Sequence, residues 1–226
     1  MADAAKSTKS GTHGAKHTLC RRIGTCLWGM PNCPTNSRVI KKRDGGEATS
    51  TAKAYPAGQH GPTKRRTKLS TYGELLIEKQ KLRTFYHLTE HQLRFIYAAS
   101  KRGTGNTGDK FIVNLEMRLC SAVYRSGLAP TIFAARQIVS HRHILVNGKI
   151  CDRASYRLKA GDVISINEQR SPMIATIAKD STAVLPAYME KDANDKCKVT
   201  IVREPLPEEI HVEVSIIKVV EYYNLH

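Results

Sequence analysis

Asn147-Gly148 sits between Ile144-Leu145-Val146 and Lys149-Ile150-Cys151. Two apolar runs meeting at Asn-Gly leave the backbone little choice, because a two-residue hairpin turn needs positive φ at both positions and these residues tolerate it. A β-hairpin is therefore predicted here, and it orders its surroundings. Upstream, Pro130 and Thr131 open a short helix running to Ile138 or Val139. Before that, Asp109 to Ser126 reads as one helix, with Phe111, Leu115, Leu119 and Val123 on one face and Gly127 as its stop. Downstream, Tyr156-Arg157-Leu158 and Val163-Ile164-Ser165-Ile166 read as strands about the turn Lys159-Ala160-Gly161-Asp162. Residues 117–167 thus form two helices followed by a small sheet.

The flanks are more helical. Ser70 caps a predicted helix to about Thr84, with Leu75, Leu76, Gln80 and Leu82 near one another and Lys79, Lys81 and Arg83 more exposed. Thr89-Glu90-His91-Gln92 fits a capping box and opens a second helix through Leu93, Ile96 and Tyr97. The break Gly103-Thr104-Gly105-Asn106-Thr107-Gly108 follows a helix and lacks Gly-Lys-Ser/Thr, which argues against a nucleotide-phosphate loop. Met173 to Ser181 reads as helix, Lys198 to Arg203 and Val212-Glu213-Val214 as strands, and Ser215 caps a last helix, Ile216 to Tyr223. The predicted class is α+β: a mostly helical first domain plus a small module of two helices packed on a short antiparallel sheet. Four segments follow: a basic extended arm over 1–54, a helical domain over 55–116, the hairpin module over 117–181, and a C-terminal segment over 182–226 that returns to the helical domain.

Charge narrows the function. The chain carries 36 Lys and Arg against 20 Asp and Glu, a formal +16. Residues 1–69 hold 14 of those cations and 3 acids, residues 117–170 hold 9 and 3, and residues 171–226 reverse to 6 and 9. Two separated basic zones suit a long polyanion, since each cation set against a phosphate releases counterions. No apolar stretch reaches the roughly 20 residues of a membrane span, and MADAAKSTKSGTHGAKH has no secretory apolar core. The scattered cysteines fit a reducing compartment, so the cytoplasm is expected.

Catalytic readings find little support. His141 and His143 would share a strand face, but no third ligand lies close in sequence. No nucleophile elbow or paired acid/base set is present. In the arm, His17, Cys20, Cys26 and Cys33 are the candidate zinc ligands, yet gaps of two, five and six residues do not make paired C-x-x-C motifs. No cofactor is expected, with zinc the one alternative. RNA contact is the sharper reading: Arg125, Arg136, Gln137, Lys149, Arg153 and Arg157 ring the hairpin unit, and Lys64-Arg65-Arg66 add a cruder cluster. A-form RNA hides its major-groove edges, so such a unit reads shape, phosphates and 2′-hydroxyls.

The motifs also carry a resemblance. Arg118-Leu119, Tyr124-Arg125-Ser126-Gly127, Ala134 to His141, Ile144 to Lys149, Ser155-Tyr156-Arg157 and Gly161-Asp162 resemble the small RNA-binding module shared by a ribosomal protein, pseudouridine synthases and tyrosyl-tRNA synthetases. Tyr55-Pro56-Ala57-Gly58-Gln59-His60-Gly61, Tyr72-Gly73, Glu78 to Arg83 and Val219 to Tyr223 resemble the flanks of bacterial-type small-subunit ribosomal protein four. The resemblance implies a non-enzymatic protein that binds small-subunit rRNA at a junction in the five-prime domain, nucleates its assembly and supports decoding accuracy. It implies small-subunit neighbours near the mRNA entry path, and neither a membrane nor a small-molecule substrate. A cytoplasmic ribosome is expected, and an organellar one fits as well. The alternatives are a pseudouridine synthase-like enzyme or a ribosome-recycling factor with the same module. The implied RNA-contacting set adds Arg21, Arg22, Tyr55, Gln59, His60, Tyr72, Lys79, Lys81, Arg83, Arg118, Ser140, His141, His143, Asn147, Ser155 and Tyr156. This sequence departs from the family at Ala57, Cys120, Arg142 and Ala154, where Pro, Asp, Gly and Pro are usual, and its arm aligns poorly.

Overall fold

The computed structural model describes residues 17–24, 26–28, 33–35, 39–40, 49–50, 55–63, 69–179, 184–192 and 195–225. In chain order these form α1 (Thr18–Ile23), β1 (Val39–Ile40), β2 (Thr49–Ser50), α2 (Thr71–Phe85), α3 (Glu90–Lys101), α4 (Thr107–Glu116), α5 (Leu119–Arg125) and α6 (Ile132–Ser140). Then come β3 (Ile144–Val146), β4 (Lys149–Ile150), β5 (Val163–Ile166), α7 (Pro172–Lys179), β6 (Met189–Lys191), β7 (Lys198–Ile201), a 3₁₀ turn (Pro207–Glu209) and α8 (Ile216–Asn224). The mixture is α+β, as expected. Two compact units emerge: Met1–Glu90 with Glu213–His226, and His91–Val212.

In the first unit, Ser70 caps α2 as predicted, its Oγ accepting from the Gly73 amide at 3.2 Å. Leu75 and Leu82 of α2 are buried, as are Val219 and Tyr223 of α8, and the two helices pack together. The Ser215 amide donates to Glu78 Oε2 at 2.9 Å, so a side chain of α2 secures the start of α8. The arm holds α1 and the paired strands β1 and β2, more local structure than its composition suggested.

The second unit is built around an antiparallel sheet in the order β4-β3-β5-β7-β6. The hairpin forms with Val146 opposite Lys149, and its turn residues Asn147 and Gly148 have φ of 51° and 76°. Ile144, Ile164, Val199 and Ile201 are sealed from solvent, as are Leu119, Val123, Ala135 and Val139 of the two module helices. Each such aliphatic contributes about 1.5–3 kcal/mol of burial, which makes this the main core of the unit.

Several expectations change here. The helix predicted over 109–126 is two helices, broken where Arg118 turns extended at φ −77°, ψ 139°. The first amides of α5 then bond across the chain, Leu119 N to Tyr156 O at 2.8 Å and Cys120 N to Ala154 O at 3.2 Å. Residues 156–158 do not form a strand but pass this point as an isolated bridge, Arg118 opposite Arg157. Strands β6 and β7 extend the module's sheet, so only the end of the 182–226 segment returns to α2. Helix α4 and nearly all of α3 group with the second unit rather than with α2. Residues 212–214 are not a strand.

A buried ion pair ties α4 to α5. Glu116 is fully buried and takes three contacts from Arg125, Nη2 to Oε1 at 2.7 Å and Nε to both carboxylate oxygens at 3.2 Å. Removing one partner of such a pair strands a charge in the core. Arg125→Ala is therefore expected to lower unfolding stability by about 3 kcal/mol in a denaturant titration. An unchanged midpoint would show that the pair holds nothing together.

Candidate nucleic-acid interface

The outer surface of the hairpin unit is assembled by hydrogen bonds that leave its cations outside. Thr131 Oγ1 accepts from the Ala134 amide at 3.1 Å and starts α6, which turns Gln137 and Ser140 outward, with Arg136 half-buried. Because the α5 amides hold the carbonyls of Ala154 and Tyr156, the side chains of Ser155, Tyr156 and Arg157 are exposed. Lys149 stands exposed on the return strand of the hairpin. Arg118 lies 9% exposed at the base of this surface. Burial lowers its pKa first, and the positive field of Arg136 lowers it further. Arg136 thus lies close enough to Arg118 to act on its charge, while Arg157 meets Arg118 through a backbone bridge.

Asn147 has another task. Its Oδ1 accepts from the Val163 amide at 2.9 Å and its Nδ2 donates to Asp162 Oδ1 at 2.8 Å. Asp162 Oδ2 in turn accepts from the Lys159 amide at 2.8 Å. The side chain expected on RNA instead clamps the hairpin tip to the next turn. His141 is exposed, with its ring centroid 6.0 Å from that of His143. His143 bonds Ser171 through Nδ1, and burial, then Arg170 and His141, lowers its pKa. Arg170 was not foreseen; its signal was a lone cation in the polar turn before Ser171. Arg142, one of the departures from the family pattern, is paired with Asp152 at 3.1 Å.

Several expected contacts are corrected by burial or pairing. Lys79, thought exposed, is 4% exposed; it meets Glu90 at 3.0 Å and lies 4.6 Å over the Tyr222 ring. Lys81 is held by Glu78 at 2.6 Å. Arg125 is committed to Glu116. Arg83 is half-buried, its Nε shut off from solvent without a hydrogen-bond partner among the described residues. Arg21 binds the carbonyls of Tyr55 and Pro56 at 3.3 and 3.2 Å and stacks over the Tyr55 ring. Arg22, Gln59, His60 and Tyr72 are exposed, whereas Tyr55 is half-buried. Lys64, Arg65 and Arg66 lie outside the described residues.

Two family models match in succession: the ribosomal protein S4/S9 N-terminal domain over residues 12–116, and the S4 domain over 117–164. The small ribosomal subunit protein uS4 of Roseobacter denitrificans is 41% identical over 216 residues, covering 92% of this chain and 96% of that protein. The uS4 of Phenylobacterium zucineum is 40% identical over 221 residues, covering 95% and 98%. That of Paracoccus denitrificans is 42% identical over 217 residues, covering 92% and 96%. This chain belongs to the uS4 family.

Within this uS4 chain the boundary between the matched models, at 116 and 117, coincides with the α4–α5 break. A cleft of about 1040 Å³ in the second unit is lined by Tyr124, Pro130, Ile177, Leu185, Tyr188 and Ile210 among others. Of its charged walls, Arg125 is engaged by Glu116 and Glu209 by Arg203. Burial pushes the Cys120 thiol up to about 11 and so keeps it protonated.

The first unit gathers the four candidate zinc ligands despite their irregular spacing. One ligand atom from each of His17, Cys20, Cys26 and Cys33 lies within 4.8 Å of the others. Cys20 and Cys33 are buried. Burial is the main cause that raises the Cys20 thiol to about 12. Burial also acts to raise Cys33, but hydrogen bonds from Thr35, Cys26 and Cys20 outweigh it and leave it lowered. One imidazole and three thiols converging from separate turns match the donor set of a closed tetrahedral zinc site. A second convergence, Glu168, Asp195 and Cys197, is already neutralised by Lys179 and Lys198.

The clamp at the hairpin tip generates a stability prediction. Asn147→Ala loses both side-chain bonds and places alanine at positive φ, and about 2 kcal/mol of unfolding stability should go with it. Asn147→Gly, which also loses both bonds but accepts the positive φ of 51°, should lose less. Equal denaturation midpoints for alanine and wild type would show that the turn holds without the clamp.

Proposed function

We propose that this chain is a structural constituent of the small ribosomal subunit that binds small-subunit rRNA directly. It seeds folding of the five-prime domain, supports decoding accuracy, and works in the cytoplasm beside small-subunit proteins near the mRNA entry path. It carries out no reaction of its own. The observation that carries this reading is the cationic surface of the hairpin unit, on which Lys149, Arg153 and Arg157 are exposed. Exposed cations on a rigid fold release counterions when phosphates approach, and planar guanidinium forks suit phosphate oxygens. Exposed Gln137, Ser140, His141, Lys149, Ser155 and Tyr156 extend that surface with donors for further phosphates and 2′-hydroxyls.

Arg136→Ala with Arg157→Ala should weaken binding to small-subunit rRNA and reduce the slope of log K against log salt by roughly 1–2. Lys79→Met, at a cation turned inward, should leave that slope unchanged. If the arginine pair leaves the slope as it was, the RNA is held elsewhere.

His17, Cys20, Cys26 and Cys33 would hold one zinc ion as a structural clamp, fastening α1 to the segments around Cys26 and Cys33. Bound there, zinc supplies no chemistry beyond cross-linking chain that has little core of its own. Trp28 and Arg21 support the same junction: Trp28 Nε1 donates to Phe85 O at 3.2 Å, and the His17 and Trp28 rings meet edge to face at 5.8 Å. Protein purified without chelator should contain about one zinc per chain by elemental analysis, and Cys20→Ser should lose most of it. Metal-free protein in which Cys20, Cys26 and Cys33 react with a thiol reagent would decide for free thiols.

A further inference from the structure

Helix α3 presents a side that no expected RNA contact includes. Its inner side is fully engaged: Leu93, Tyr97 and Ser100 are buried, and Tyr97 meets Phe111 of α4 edge to face at 5.6 Å. Ser100 Oγ donates to Ile96 O and accepts from Asn114 Nδ2, both at 2.8 Å. The orientation of the helix is therefore settled, and its other side faces outward by construction. There His91, Arg94, Phe95, Ala98, Ala99 and Arg102 are all exposed, Phe95 to 70%. Positions 91, 94, 95, 98 and 102 fall on one stripe of a 3.6-residue helix.

A single exposed phenylalanine needs no explanation by itself. Its setting here is specific. Ala98 and Ala99 follow it one turn on and leave the ring unobstructed on that side. Arg94 precedes it and Arg102 stands beyond, and neither makes an ion pair among the described residues. The one acid of α3, Glu90, is bound by Lys79. An aromatic face framed by free cations, without acids on its stripe, is complementary to a nucleic acid and poorly matched to a neutral or basic protein surface.

We propose that this stripe is a second RNA-contact site, on which Phe95 stacks against an unpaired base of the rRNA while Arg94 and Arg102 take the phosphates on either side. Along the helix direction the two arginine backbones stand about 12 Å apart at 1.5 Å per residue, and their long side chains can close that gap toward the phosphates on either side of the stacked base. Single-stranded bases turned out of a helix are where aromatic side chains engage RNA. The site rests on the rRNA-binding reading above and adds to it a contact in a loop or bulge, distinct from the phosphate-reading surface of the hairpin unit.

The test titrates the full chain against a full-length small-subunit rRNA transcript across a salt series. Phe95→Leu, which keeps an apolar side chain but removes the ring, should weaken binding about fivefold or more without altering the salt slope. Phe95→Tyr should stay within about twofold of wild type. Arg94→Ala with Arg102→Ala should lower the slope by roughly 1–2. If Phe95→Leu binds as wild type and the double variant keeps its slope, the inference is overturned. Variants that bind rRNA normally yet fail to enter reconstituted subunits would overturn it too, in favour of a protein neighbour. A wild-type chain that binds no rRNA would remove both readings, whereas a binding wild type with indifferent variants removes only this one.

Discussion

The start of α5 is the contact on which the hairpin unit depends. A helix begins with amides that have no partner inside it, and here no side chain caps them. The carbonyls of Ala154 and Tyr156 take the amides of Leu119 and Cys120 instead, and Met117 O accepts from the Leu158 amide at 2.9 Å. One short stretch of backbone therefore ends α4, starts α5 and pins residues 154–158 over the junction. It also decides where charge is displayed. Arg118 is drawn beneath the surface, Arg157 is set opposite it, and α6 brings Arg136 alongside.

This explains what the sequence revealed and what it concealed. Elements governed by their own residues were legible: the Asn147-Gly148 hairpin, the Thr131-capped α6, the Ser70-capped α2 and the terminal α8 all lie where local rules place them. The break between α4 and α5 was not legible, because Phe111, Leu115, Leu119 and Val123 keep helical spacing straight through it. Only the arrival of acceptors from residues distant in sequence makes an extended Arg118 favourable, and periodicity carries no record of them. The same holds for β6, a short strand whose place is fixed by pairing with β7 rather than by its own pattern.

The candidate site divides along the same line. That the hairpin unit would carry exposed cations was legible from Lys149 and Arg157. Which cations face inward was not. Lys79 looks like an exposed helix cation until Glu90 and the Tyr222 ring close over it. Asn147 looks like a polar loop contact until Val163 and Asp162 claim both ends of its amide. The convergence of the four candidate zinc ligands was hidden by their spacing for a related reason. His17 and Cys20 sit one helical turn apart, but Cys26 and Cys33 also place a ligand atom within 4.8 Å of theirs, a closeness that a gap count does not record.

A formal charge of +16 therefore overstates what such a chain has to offer a polyanion. Arg21, Lys79, Lys81, Arg125 and Arg203 are bound by carbonyls or carboxylates within the fold, and a cation already paired releases little when a phosphate approaches. Exposed charges stand on rigid elements, the hairpin and the outer side of α3, rather than spread evenly. Rigid placement matters more than number for reading shape. Guanidiniums fixed at set separations meet phosphates only where the RNA backbone bends to the same separations, so one fold of the RNA satisfies them together. A flexible basic tail of equal charge would bind any strand. The inward cations hold the frame, and the frame gives the outward ones their selectivity.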